Sequence, residues 1–291
     1  MQQPNILILG KSSFIGNGFC NYTQFGNCDK GSLREQSLDR FDFSGYDVLL
    51  HLPAIVHQSS RIPYEKYYQV NAELAYQAAL KAKREGVKQF VFFSTIRIYG
   101  EYTKDGTVWN EGTAPNPTDN YGKSKLEAEK MLRTLADTDF HIAILRIPMV
   151  YGPGNRGNLN KMIAFIKKYR IAPFLNIPNK RNILYIKNLA GFIDQLILQD
   201  QDGTFLVTDP EPVSTSEIAR SISKYLDKRV FLSPIPGFVR ILFKNVWPSG
   251  YFKVFGNLEL DNRSSFEQLD YHPQYNFDQG MKEMMAWFKD N

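Results

Sequence analysis

The sequence predicts an α/β protein, a doubly wound parallel sheet with a smaller C-terminal substrate-binding cap. Three observations carry that prediction. Short runs that are apolar almost throughout recur at 5–9 (NILIL), 46–52 (YDVLLHL), 87–94 (VKQFVFFS) and 141–147 (HIAILRI), as strands buried on both faces of a sheet require. Segments of helical character separate them, and strands alternating with helices specify right-handed parallel crossovers. The first run ends in a glycine-framed turn, Gly10-Lys11-Ser12-Ser13-Phe14-Ile15-Gly16, that opens onto a helix. At 291 residues the chain has room for one large α/β domain, or for a domain with a small companion.

Composition narrows the class further. Hydrophobic content of 43% and charged content of 22% are ordinary for a soluble globular protein. The net charge of +5 suits a polyanionic small molecule or a merely basic surface, and no dense Lys/Arg run with interleaved aromatics argues for nucleic acid. Cys20 and Cys28 lack metal-ligand spacing and read as free thiols of a reducing compartment. Met1 leads through Gln2, Gln3 and Pro4 into the first apolar run, so a signal peptide is not expected. No apolar run approaches the roughly 20 residues that span a bilayer, and the expected location is cytoplasmic without stable membrane insertion.

The strand at 5–9 fixes the first site. Gly10 permits the tight turn, Gly16 lets the helix approach the strand, and the free N–H groups at the helix start can receive a pyrophosphate. Ser13 replaces the middle glycine, so an ordinary strand-to-helix turn is an equal reading. From Cys20 to Ser44 the pattern weakens, and the second strand is expected to end near 29–34 (DKGSLR). An acidic side chain there holds the adenosine ribose of NAD(H), whereas an arginine pairs with the 2′-phosphate of NADP(H). Arg34 is the residue offered and Lys11 adds a second charge. The sequence leans to NADP(H), leaving NAD(H) and two plain surface cations as the other readings.

An alanine-rich helix from Tyr67 to Glu85 carries Asn71, and the strand at 87–94 ends in Ser94-Thr95, at the carboxyl edge where such sheets bind ligands. A proline-bearing loop, 101–119, leads into a helix opening Tyr121-Gly122-Lys123-Ser124-Lys125. Residues four apart share a helix face. A phenol titrates near ~10, and an adjacent ammonium lowers that value, making Tyr121 with Lys125 a candidate proton donor and acceptor. The plainer reading is an exposed helical face. After 141–147 the rhythm loosens, with a helix near 161–169, a strand near 182–186, a helix near 189–198, a strand at 204–208, a helix at 214–226 and a mixed terminal region. The expected division is a dinucleotide domain of 1–155, with returning segments near 180–210, interleaved with a cap of 156–180 and 211–291.

Six markers now stand in one order: GKSSFIG, DVLLHLPA, the Val70-Asn71 pair, FFSTIRIYG, YGKSK and LRIPMVYGPG. In that order, over nearly the whole chain, they resemble the extended short-chain dehydrogenase/reductase family and its nucleotide-sugar epimerase, dehydratase and reductase branch. The resemblance implies a Rossmann-like sheet, a nucleotide-sugar substrate and a homodimer. It assigns Tyr121 as general acid or base, Lys125 as the group that depresses its pKa and binds the nicotinamide ribose, and Thr95 as the hydrogen-bond partner of the reacting sugar oxygen. Ser94 is the neighbour easily confused with Thr95 on the substrate side. Cofactor contacts are implied from Gly10, Ser13, Phe14, Ile15, Gly16, Ala54, Asn71 and Pro148. On the substrate side the resemblance implies Asn158-Leu159 and a diphosphate contact from Arg181, in charge-assisted Arg–phosphate geometry. Asn158 reads equally as a helix cap, Arg181 alternatively as a surface charge, and Asp261 more simply as a cap.

The net reaction is less fixed. Family dehydratases commonly carry acidic groups just after the catalytic Ser/Thr, whereas Thr95 is followed by Ile96-Arg97-Ile98, which argues against dehydration. The second half, NKRNILYIKNLAGFI and TFLVTDPEPVSTSEIARSISKYL, resembles bacterial reductases of UDP-linked 4-keto-6-deoxy-N-acetylhexosamines in surface polysaccharide synthesis. With Arg34 favouring NADPH, C4 ketone reduction is the first expectation. A UDP-sugar 4-epimerase with tightly held NAD is the second, and a catalytically silent dinucleotide-binding sensor or scaffold the third, disfavoured by the presence of both Tyr121 and Lys125. The mixed aromatic and basic run 238–255 (FVRILFKNVWPSGYFKVF) reads as a partly buried cap helix interrupted at Pro248, with a membrane-surface or subunit contact as the alternative. His51, His57, His141 and His272 lack metal-ligand spacing, so neither a metal site nor a catalytic histidine is expected.

Overall fold

A computed structural model describes residues 3–56, 62–227 and 229–291. The first half runs β1 (Ile6–Leu9), α1 (Phe14–Tyr22), β2 (Cys28–Gly31), β3 (Val48–His51), α2 (Tyr64–Tyr68), α3 (Leu74–Arg84), β4 (Gln89–Thr95), α4 (Asn120–Arg133) and β5 (His141–Ile147). The second half runs β6 (Val150–Tyr151), α5 (Asn158–Tyr169), β7 (Ile171–Leu175), β8 (Leu184–Tyr185), α6 (Ile186–Leu198), β9 (Gly203–Leu206), α7 (Thr215–Tyr225), β10 (Phe231–Pro234), α8 (Gly237–Val246), α9 (Pro248–Phe255), α10 (Arg263–Gln268) and α11 (Phe277–Asp290). Six strands form one parallel sheet in the order β2-β1-β3-β4-β5-β9. The chain moves outward from β1 to β2 and then crosses to β3 on the other side. That reversal makes the carboxyl ends of β1 and β3 the switch point at which such sheets bind ligands.

Period-two alternation sorts the strand side chains into two cores. Ile6, Ile8, Leu50, Val91, Phe93 and Leu145 join Phe19 of α1 and the apolar face of α6. Leu7, Leu9, Leu49, Phe90, Phe92 and Ile144 join α3 and α4 on the opposite face. Ala75, Ala78, Ala79 and Ala82 are all fully buried, so α3 presents only methyl groups to the sheet and lies close to it. Met281, Met284 and Met285 of α11 enter the same core as α1 and α6, which ties the C-terminal helix to the main sheet.

Two elements differ from expectation in an informative way. The helix expected over 67–85 is interrupted: α2 ends at Tyr68, a π-helical turn spans Gln69–Glu73, and α3 follows. Asn71 sits inside that turn, and such π-bulges gather at functional sites. Second, β2 is an edge strand that pairs only with β1, and two of its four residues are exposed. An edge strand open to water has no need of a continuous apolar run, which is why the sequence signal faded there.

Candidate active site

The loops beyond β1 and β3 touch. Gly10 adopts φ of 113°, and a Cβ there would lie 3.0 Å from the Leu52 Cβ. A Cβ on Gly16 would lie 3.0 Å from both the Ile8 and Leu52 side chains. The framing glycines therefore make the turn and the close helix–strand approach that a pyrophosphate cradle requires. Ser13 stands where a middle glycine is usual without filling the cradle: its Oγ turns back to accept from the Gly16 N–H at 3.3 Å, capping α1. The N–H groups of Phe14 and Ile15 belong to the first turn, whose donors have no intrahelical acceptor. These residues fit the diphosphate of a dinucleotide.

At the adenosine side, the Lys11 ammonium pairs with Glu35 at 3.3 Å, both well exposed. The Arg34 N–H donates to Ser32 Oγ at 3.4 Å, and the Arg34 side chain is exposed. On the other wall, Asn71 fixes the loop that carries Ala54. Its Oδ1 accepts from the Ile55 N–H at 2.7 Å, and its Nδ2 donates to the Ile55 carbonyl at 3.0 Å and to Ser124 Oγ at 2.9 Å. Asn71 thus couples that loop to α4 through its own fully used amide. Pro148 is buried immediately after β5.

The reacting groups meet at the end of β4. Thr95 and Tyr121 are hydrogen-bonded through their side chains, and that bond lowers a phenol which burial pushes up to about 12. One turn on, Lys125 is buried and donates to the Phe93 carbonyl at 2.7 Å, with its ammonium 4.3 Å from the centre of the Phe92 ring. Burial brings this lysine down to about 7, against the pull of the Glu129 carboxylate. The arrangement holds one phenolic proton beside a threonine hydroxyl, with a cation of depressed pKa in reserve. Such a constellation gives and takes a proton at a sugar hydroxyl or carbonyl.

Ser94 is not brought to this group. Strand alternation turns it away from Thr95, and its hydroxyl donates to Glu129 Oε1 at 2.5 Å in the buried pair that Glu129 makes with Arg146 at 2.7 Å. Its assignment to the substrate side gives way to a structural one. Asn158 and Leu159 open α5, and the cap position belongs to Gly157 rather than Asn158. Asn158 is exposed and Leu159 buried. Arg181 is no surface charge: its guanidinium donates to the carbonyls of Phe252 at 3.1 Å and Gly256 at 2.8 Å. Burial, with Arg97 nearby, holds it down to about 10. Asp261 pairs with Arg263 at 2.6 Å.

Two positions went unnoticed in the sequence. Asp119 caps α4, accepting from the Gly122 N–H at 2.7 Å, and so sets the first turn that carries Tyr121. Arg97 locks that cap: its guanidinium bonds Asp119 and reaches Glu101 at 2.7 Å. An Asp just ahead of a helix is a readable signal, whereas the Arg97 partnership spans 22 residues and leaves no local trace. Among the histidines, His51 is buried against Phe90 and Phe92, and burial with the Lys125 charge holds its imidazole down to about 3. His141 faces Asp200 at 3.0 Å, His272 is exposed, and His57 lies outside the described residues.

The model of the NAD dependent epimerase/dehydratase family matches residues 6–207. The chain belongs to that family. It is 32% identical over 250 residues to a UDP-glucose 4-epimerase of Vibrio cholerae, covering 83% of this chain and 76% of that one. It is also 24% identical over 249 residues to the N-acetyl-alpha-D-glucosaminyl-diphospho-ditrans,octacis-undecaprenol 4-epimerase of Escherichia coli O157:H7, covering 78% and 73%. The solved UDP-N-acetylglucosamine 4-epimerase from Bacillus cereus shares the fold, with a TM-score of 0.78 over 99% of this chain and 100% of that one at 20% identity. Both sequence relatives are 4-epimerases, so the epimerase reading moves ahead of ketone reduction. The family is NAD-dependent, and the lean to NADP(H) drawn from Arg34 gains nothing from it.

Proposed function

We propose that this epimerase/dehydratase family member interconverts the C4 epimers of a sugar carried on a diphosphate, with a UDP-hexose or UDP-N-acetylhexosamine as the soluble substrate and NAD held in the site. The observation that carries the reading is the single acid–base group that the described residues place at the end of β4. Tyr121 is hydrogen-bonded with Thr95, and the nearby carboxylates of Glu101 and Asp119 are engaged by Arg97. Elimination of water needs a further acid or base. Reversible oxidation at one carbon needs only one group that accepts the hydroxyl proton and returns it.

Bound NAD would supply reversible two-electron oxidation at C4. Tyr121 takes the C4 hydroxyl proton and gives it back once the ketone has presented its other face. Thr95 orients that oxygen. Lys125, a turn away on the same helix, would hold the nicotinamide ribose of bound NAD, and its positive charge there would favour the phenolate. Gly10, Phe14 and Ile15 line the cradle for the dinucleotide diphosphate, and Asn71 holds the Ala54 loop against it. For the substrate diphosphate, Arg181 supplies a half-buried guanidinium that, among the described residues, is bonded to backbone carbonyls rather than to a carboxylate. A half-buried cation so placed favours an anion. Asn158 at the start of α5 is the second candidate contact. On the adenosine side Lys11 pairs with Glu35, leaving Arg34 as the cation offered to a 2′-phosphate, so the choice of NAD rests on the family.

Incubation of the pure protein with UDP-GlcNAc or UDP-glucose, without added cofactor, tests this. Formation of the C4 epimer with no net redox is expected. Stoichiometric NADPH loss with a UDP-4-keto-6-deoxy sugar, and no isomerisation, restores the reductase.

A further inference from the structure

The sequence reading of 238–255 as a partly buried cap helix holds for α9 but not for α8. None of the residues of α8 is buried. Phe238, Ile241, Leu242 and Val246 are 73%, 65%, 60% and 74% exposed. At about 100° per residue, these four and Val239 share one broad arc, while Arg240 and Lys244 lie together on the opposite, polar face. Phe243 turns toward α9, its ring 6.4 Å from that of Phe255, and so do Arg240, which donates to the Tyr251 hydroxyl at 3.1 Å and lies 4.9 Å from the Phe255 ring, and Lys244, 5.9 Å from the Tyr251 ring. Trp247, at the C-terminal end of the helix, is also exposed. An apolar face this large on an exposed helix marks a surface that is covered in use.

Charge decides what covers it. From Phe231 to Leu258 the chain carries Arg240, Lys244 and Lys253 and neither Asp nor Glu. In a two-fold contact the same patch faces itself, which brings two copies of this cationic segment together with no carboxylate in it to offset them. An anionic bilayer surface meets both halves of the pattern, since acyl chains receive the apolar arc and the negative surface attracts the positive charge on the helix's polar face. No helix among the described residues is long and apolar enough to cross a membrane, so the contact is in-plane.

We infer that α8 docks the protein on an anionic lipid bilayer. Through α9, whose carbonyls hold Arg181, docking sets the Arg181 end of the sugar-diphosphate site beside the membrane. That last clause rests on the function proposed above, whereas the docking does not.

Co-sedimentation of the full chain with vesicles of phosphatidylcholine, with and without phosphatidylglycerol, tests it. Binding is expected to rise about tenfold with the anionic lipid at low salt and to fall as salt is added. The double variant Ile241→Asp, Leu242→Asp loses binding to both vesicles, melts as the parent does, and isomerises UDP-sugars in solution at the parent rate. The double variant Arg240→Gln, Lys244→Gln loses only the anionic preference. Absence of vesicle binding by the folded parent overturns the inference, as does a parental dimer that the Ile241→Asp, Leu242→Asp variant turns into a monomer. Vesicle binding by a protein inactive on UDP-sugars supports docking and counts against the proposed reaction alone.

Discussion

Burial acts on Tyr121 and Lys125 in opposite senses, raising the phenol to about 12 and lowering the ammonium to about 7. In this state the tyrosine keeps its proton at neutral pH, and the lysine lies on the Phe93 carbonyl. Tyr121→Phe should lower kcat about 10²- to 10⁴-fold while leaving dinucleotide binding intact, as titration of cofactor fluorescence would read; undiminished turnover would remove Tyr121 from the mechanism. Lys125→Met separates catalysis from stability. The unfolded lysine holds its proton up to its ordinary value near ~10.4, the folded one only to about 7. The unfolded state therefore binds more protons between those values, and stability rises with pH through that window. The variant should melt above the parent at pH 7 and below, with the gap closing toward pH 10, and should lose turnover; a gap independent of pH would contradict the desolvated ammonium. At this scale the sequence was legible where spacing met a strand end, as for Thr95, Tyr121 and Lys125. It was not legible for Ser94, because adjacent strand residues look alike in sequence yet face opposite sides, one into the Glu129–Arg146 pair.

At the scale of the element, the first turn of α4 is the part that sets Tyr121. Asp119 caps it and Arg97 grips Asp119, while the Asp119 charge itself raises the tyrosine's pKa. Asp119→Ala should cost about 1 kcal/mol of stability and lower kcat. Asp119→Asn keeps the cap, so stability should largely return while the acidic limb of the pH–rate profile, set by the phenol that must accept the C4 proton, moves to lower pH. A profile unchanged in Asp119→Asn would show that Arg97 already neutralises the carboxylate. Elements were readable from the sequence where both faces are buried, as in β1, β3, β4 and β5. They were missed where one edge is open to water, as in β2, or where a strand is short and half exposed, as in β7 and β10. Helical periodicity found α8 but misplaced it, since an apolar arc reads the same whether a protein core or something outside the chain covers it.

For the whole molecule, the sheet order β2-β1-β3-β4-β5-β9 places the Gly10 cradle, the Ala54 loop and Thr95 along one carboxyl edge. The segments after β5 bring Arg181 toward Arg97, close enough for the two charges to be felt. That convergence joins sequence neighbourhoods more than 80 residues apart, so only the family resemblance pointed to it, and it did so without the α9 carbonyls that hold the guanidinium. The resemblance also carried the dinucleotide cradle, but it did not choose between reduction and epimerisation, because the same tyrosine serves both. The fate of the C4 hydrogen separates them most directly. UDP-glucose deuterated at C4, incubated with the protein in ordinary water and read by mass spectrometry and NMR, should yield the C4 epimer with its deuterium retained at C4. Deuterium washed out into water, or no epimer formed while a 4-keto sugar is reduced at the expense of added NADPH, would contradict the account.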